Sequence, residues 1–291
     1  MNQTQTGLEG VVQDSDILAK GAKKEIFAIA ERLMNSEEGI YGKIFHEKKT
    51  HDFILDAFHP LSPLYSMPDG VLKALHSMRG KELLCAEDGK DTLTHSIGVG
   101  IQNIAYAREH RAQQLRPTLT EEDLYLAGRA GLNHDFGKLS LSNTILCAPG
   151  DLNDIQRKKR DSHAMNGYQF LVNQGVTEPA VLLSAYGHHQ NLKDGVRFPS
   201  YPTLTEEKPA LIKSPSPQAE LIRRFTVISD AGDALIRGRP YRSNEDFKKG
   251  ISFERVVNIY RRGANGTEDG RIQFDETLIP IPITFLLRSL I

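Results

Sequence analysis

Apolar positions recur at helical spacing along most of the chain and rarely alternate as a half-buried strand would. Residues 16–36 set Ile17, Ala22, Ile26, Ala30 and Leu33 near one stripe, and VLKALHSMRG after Gly70 reads as a helix ending at Gly80. Between them Pro60, Pro63 and Pro68 allow short helices joined by turns. From Asp91 the amphipathic segments lengthen. Residues 91–110 align Ile97, Ile101, Ile104 and Ala105, and residues 121–136 open after Thr120 with an acidic first turn. Residues 154–174 carry Ala164, Tyr168, Leu171 and Val172. Residues 179–189 start on Pro179, a favourable first helical position, and residues 218–237 place Ile222, Thr226, Asp230 and Asp233 along one face. This succession predicts an all-α bundle over 89–291 and a small helical N-terminal region over 1–88, with CAEDGKD as the seam. The tract between Gly195 and Gln218 holds five prolines in a polar setting and reads as a surface excursion.

Composition narrows the function classes. With 291 residues, 39% of them hydrophobic, the chain can bury a substantial core. Lys plus Arg (36) nearly balances Asp plus Glu (37), so no overall field favours duplex nucleic acid or a membrane surface, and an anionic ligand must be attracted locally. No apolar run reaches the roughly 18–20 residues of a membrane span. Cys85 and Cys147 lack CxxC spacing and MNQTQTGLEG lacks a leader pattern, so a reduced, cytoplasmic protein is expected.

The chemistry sits on histidines and aspartates. Of ten histidines, His95, His134, His163, His188 and His189 fall at helical positions that also bear core-facing residues. His134 adjoins Asp135, and Gly137 follows where a helix C-cap would suit. Asp91 precedes His95 by four residues, His163 precedes Gly167 by four, and Asp230 and Asp233 stand three apart on an apolar helix. Burying such groups unpaired costs several kcal/mol each. Each alone reads as a core histidine on a carbonyl, or an aspartate paired with Arg223 or Arg224. Together they are better satisfied by two or three divalent cations, with nitrogen and oxygen ligands that suit iron, manganese or zinc. Lys138 and the run through Arg239 and Arg242 supply cations suited to phosphate.

These stretches, DTLTHSIGVG, HDFGKLSLSNTIL, APGDLNDIQRKKRDSHAMNGYQFL, HHQNLKDG and ISDAGDALIRGRPYR, come in the order found in the HD-GYP subfamily of HD-domain phosphohydrolases, which are cyclic di-GMP phosphodiesterases. Residues 91 to about 245 resemble that family. The resemblance implies an HD-domain helical bundle in which His95, His134, Asp135, His163, His188, His189 and Asp230 are ligands. Asp135 would bridge two ions, iron first among the candidates, with manganese or zinc as alternatives. It places Asp91 as a ligand for a third ion, and Lys138, Asp233, Arg239 and Arg242 at the phosphates. A metal-bridging hydroxide would attack phosphorus, with Asp135 and Lys138 as the catalytic pair. The family's HHE and GYP elements are replaced here by Gln190 and a longer loop through Ser200-Tyr201-Pro202, so the metal chemistry is expected to persist and substrate recognition to differ. The expected substrate is a cyclic dinucleotide, cyclic di-GMP first. The alternatives are a weakly catalytic cyclic-dinucleotide receptor or adaptor and another HD-type nucleotide phosphohydrolase. The N-terminal region is left for packing, dimerisation or a regulatory partner.

Overall fold

The computed structural model describes residues 5–35, 40–79, 91–148, 152–189, 209–237, 252–265 and 274–288, and every regular element among them is helical. In chain order these are α1 (Gln5–Asn35), α2 (Ile40–Ile44), α3 (Lys48–Phe58), α4 (Asp69–Met78), α5 (Thr92–Ala112), α6 (Glu121–Asn133), α7 (Asn143–Leu146) and α8 (Asp154–Asp161). They continue with α9 (His163–Asn173), α10 (Pro179–Gly187), α11 (Pro217–Ile236), α12 (Phe253–Asn265) and α13 (Pro280–Arg288). Short 3-10 turns occupy Pro63–Tyr65, Phe136–Ser140 and Ala210–Ile212. The all-α expectation therefore holds.

α5, α6, α10 and α11 form the centre. α5 is buried on nearly every side from Thr92 to Ala107, which is why its apolar positions spread beyond a single stripe. α6 starts from a capping box between Thr120 and Asp123. α11 starts from Ser216, whose side chain accepts the Ala219 N–H, with Pro217 at the first turn. α5 and α6 meet at Gly100 and Gly131, where a Cβ on Gly131 would overlap the Gly100 backbone. The approach brings the first turn of α5 beside the last turn of α6.

The N-terminal helices share this core. Tyr41, Phe45 and Phe58 lie in the same apolar cluster as Ile97, Ile104 and Phe225, and Tyr260, Phe274 and Phe285 join it from the C-terminal side. Three details differ from the sequence reading. Ile17 is 62% exposed and belongs to no core stripe. The expected helix over 154–174 is two, because the Ser162 hydroxyl bonds back to the Lys159 carbonyl (2.7 Å) at the break between α8 and α9. Cys147, at the end of α7, is disulfide-bonded, where reduced thiols were expected. No described helix is long and apolar enough to cross a membrane.

Candidate metal centre

Residues from five helices converge at one end of the central bundle. His95 lies in the first turn of α5, and His134 is the residue that ends α6, with Asp135 immediately after. His163 opens α9, His188 and His189 follow the last turn of α10, and Asp230 lies in the second half of α11. The C-terminal ends of α6 and α10 both meet the cluster, and their dipoles favour positive charge there.

Asp135 faces two ways. Its Oδ2 lies 3.4 Å from His134 Nε2 and 3.5 Å from His95 Nε2. Its Oδ1 lies 3.4 Å from His163 Nε2 and 3.7 Å from His188 Nε2. Asp230 Oδ1 adds a carboxylate oxygen 3.1 Å from His95 Nε2 and 3.8 Å from His134 Nε2, while its Oδ2 is 4.0 Å from His189 Nδ1. Three overlapping ligand triplets result: His95, His134 and Asp135; His134, His188 and Asp230; and His163, His188 and His189.

The outer ring nitrogens decide which electrons face inward. His134 Nδ1 bonds the Gly131 carbonyl at 2.7 Å, His163 Nδ1 the Arg160 carbonyl at 2.7 Å, and His188 Nδ1 the Ser184 and Ala185 carbonyls at 3.1 Å each. A carbonyl only accepts, so each Nδ1 carries the proton and, in the neutral ring, each Nε2 presents a lone pair. His163 Nε2 stands 3.1 Å from His188 Nε2 and 3.2 Å from His189 Nε2. The His163 and His188 lone pairs, facing at that distance, repel unless a cation lies between them. Nitrogens about 2.1 Å from a shared ion would sit roughly 3.0–3.4 Å apart, from right-angled to tetrahedral ligation, so the spacing suits a metal. Among the described residues His95 Nε2 and His134 Nε2 are buried without a hydrogen-bond partner, as unused ligand atoms would be.

Charge divides the cluster. Burial opposes a charge on His134, but Asp135 and Asp230 outweigh it and push the imidazole up to about 10. Burial, reinforced by His189, His134 and His163, holds His188 well below the usual imidazole range. Burial also takes His189 down to about 3, against the opposing pull of Asp230. Burial works against ionisation of Asp135 and Asp230 as well. Lys138 and His134 overcome it for Asp135, and His134 and His95 for Asp230, so both stay well below the ordinary carboxylate range. Two carboxylates and the neutral imidazoles of His188 and His189 are thus ready for cations, while His134 must give up its proton to ligate.

No family model matches the chain. Sequence relatives do. The chain is 31% identical over 189 residues to a cyclic di-GMP phosphodiesterase of Pseudomonas aeruginosa, covering 60% of this chain and 41% of that protein. It is 33% identical over 161 residues to the 3'3'-cGAMP-specific phosphodiesterase 1 of Vibrio cholerae, covering 55% and 32% respectively. A second Vibrio cholerae protein, 3'3'-cGAMP-specific phosphodiesterase 3, is 28% identical over 152 residues, covering 52% and 30%. Over half or more of its length the chain is therefore similar to phosphodiesterases named for cyclic dinucleotides. It spans about a third to two fifths of the length of these relatives.

The other residues suggested by the HD-GYP resemblance take different places. Lys138 is at the cluster, its Nζ 2.8 Å from Asp135 Oδ2. Asp233 is 2% exposed behind His95, whose Nδ1 meets its Oδ2 at 2.5 Å. Asp91 is the N-cap of α5, with Oδ1 accepting the Thr94 N–H (3.1 Å) and Oδ2 the Thr94 hydroxyl (2.7 Å), and it joins none of the three triplets. Asp91→Ala is accordingly expected to cost about 1 kcal/mol of stability, while Asp91→Asn leaves metal content unchanged. Loss of one ion from a folded Asn variant, by elemental analysis, would restore the third-ligand role. Gln190, Asp194, the Ser200-Tyr201-Pro202 stretch, Arg239 and Arg242 lie outside the described residues.

Arg223 and Arg224 do not pair with the site aspartates. Arg223 is buried, donating to Glu220 and, at 3.1 Å, to the Gly187 carbonyl just before His188. Arg224 pairs with Asp275 at 2.6 Å. The sequence reading missed Tyr41 and Gln102. Tyr41 donates its hydroxyl hydrogen bond to Asp233 Oδ1, and Gln102 Nε2 donates to Tyr41 Oη at 3.1 Å. Neither belongs to a chemical motif of its own, and no spacing links them to the histidines.

Proposed function

We propose that the chain is a metal-dependent phosphodiesterase acting on a cyclic dinucleotide. The observation that carries this reading is the division of Asp135, with one carboxylate oxygen towards the His95 and His134 nitrogens and the other towards those of His163 and His188. That arrangement suits two divalent ions. His95, His134, Asp230 and Asp135 Oδ2 would hold one, and His163, His188, His189 and Asp135 Oδ1 the other. Such ions, when bound, lower the pKa of water towards neutrality and neutralise phosphate charge, which is the chemistry of phosphodiester hydrolysis.

The residues of the chain do the placing. Carbonyl acceptors behind His134, His163 and His188 fix the tautomers, so the neutral form of each ring turns its Nε2 lone pair inward. Lys138, beside Asp135 and partly reachable from solvent, supplies a cation for a phosphate oxygen or the departing ribose oxygen. Substrate class is taken from the relatives, named for cyclic di-GMP and for 3'3'-cGAMP; cyclic di-GMP is the substrate proposed. Protein purified without oxygen is expected to carry at least two ions per chain, iron or manganese, and to convert cyclic di-GMP to a linear product. A metal-free protein would sink the reading. Tight binding of cyclic di-GMP or 3'3'-cGAMP without linear product would replace it with a receptor.

A further inference from the structure

We infer that Tyr41, delivered by the N-terminal helix α2, is a positioning residue of the metal centre, acting on His95 through Asp233. The inference rests on the metal reading above. Asp233 is buried and its oxygens are divided: Oδ2 takes His95 Nδ1 at 2.5 Å, and Oδ1 takes the Tyr41 hydroxyl, with Arg237 at 3.5 Å. Gln102 Nε2 donates to Tyr41 Oη (3.1 Å) and to the Ser229 carbonyl (3.3 Å), and the Tyr106 hydroxyl donates to Gln102 Oε1 (3.0 Å). The phenol is thus aimed from both sides. Gly98, one turn beyond His95 on α5, leaves the space, since a Cβ there would overlap both Asp233 Oδ1 and Tyr41 Oη.

A carboxylate behind a ligating imidazole fixes the ring and raises its basicity, and loss of such an outer partner typically weakens metal binding 10–100-fold. His95 holds one oxygen of Asp233, and Tyr41, with Arg237 beside it, holds the other, so the carboxylate is fixed from both faces. Burial, then the Asp233 charge, hold the Tyr41 hydroxyl well above the ordinary phenol range, so it stays a donor.

The test uses the full chain loaded with manganese, titrated against a competing chelator. His95→Ala identifies which binding step belongs to the His95 ion. Tyr41→Phe is expected to weaken that step about tenfold or more and leave the other within twofold. In an Asp233→Ala background the same change is expected to add nothing, because the coupling runs through Asp233. Asp233→Asn, which preserves shape, is a second variant with the same selective loss expected. Melting of the metal-free proteins separates folding from ligation. Wild-type affinity at both steps in Tyr41→Phe, equal weakening of both, or an undiminished Tyr41 effect without Asp233 would each overturn the inference. A wild-type protein that binds no manganese would instead overturn the metal reading beneath it.

Discussion

Asp135→Asn is expected to empty the site and lower kcat/KM by about 10³-fold or more, the equivalent of roughly 4 kcal/mol of transition-state stabilisation. Asparagine retains the volume and one acceptor but removes the charge, and its NH2 group turns a donor towards whichever pair of nitrogens loses the oxygen. Either His95 and His134 or His163 and His188 would then face N–H in place of a ligand atom. Because both groups share this one residue, both ions should be lost together, whereas His163→Ala should affect only the triplet with His188 and His189. The fold should survive. Breaking a buried pair can cost about 3–5 kcal/mol when the remaining charge is trapped, but the charges left here have exits. Lys138 is 12% exposed along its side chain and can turn to water. His134, held up to about 10 by Asp135 and Asp230, can release its proton when one of them goes. Elemental analysis, turnover and far-UV circular dichroism check the three parts. A folded Asp135→Asn protein with two ions and a tenth of wild-type activity would refute the bridging role.

The contrast between Asp230 and Asp233 shows how far the sequence could be read. Periodicity put both on one face of α11, and both reach His95. Spacing could not show that Asp230 reaches the imidazole Nε2 atoms while Asp233, one turn on, passes behind His95 to its Nδ1. That difference depends on where α5 crosses α11. Asp91 shows the same limit of spacing. Four residues before His95 suggests a shared helix face, but Asp91 is the cap outside the first turn, and its oxygens close on Thr94. Histidine and aspartate are costly to bury, so a pattern that buries His95, His134, Asp135, His163 and His188 together advertises itself. Tyr41 does not. A tyrosine in a helical stripe is ordinary core material, and its partner Asp233 lies 192 positions away. Only packing of the N-terminal helices onto α5 reveals the contact.

Gly137→Ala is expected to cost about 2–3 kcal/mol of stability and about 10²-fold in kcat/KM. The HDFGK stretch suggested a C-cap glycine, which would need a positive φ. The described glycine with positive φ is Gly175, at 84°, and Gly137 instead lies inside the 3-10 turn Phe136–Ser140. Its small size serves contact. A Cβ there would overlap the His163 carbonyl and crowd the Gly167 N–H, and these are backbone atoms that no rotamer change can move aside. Gly167 completes the approach from α9, one turn after His163. Adding a methyl group must therefore push α9 away from the turn that follows Asp135, and a displacement of about 1 Å at reacting groups can cost 10²-fold. The ion at His163, His188 and His189 should weaken while the one at His95 persists. Gly175→Ala provides the comparison: it meets nothing within 4 Å, so its cost of about 1–2 kcal/mol is left-handed backbone strain alone, with metal content and kcat/KM unchanged. Similar melting losses with opposite effects on the metal would show that Gly137 sets the distance between Asp135 and His163. A Gly137→Ala protein with wild-type metal content and turnover would return that glycine to a purely conformational role.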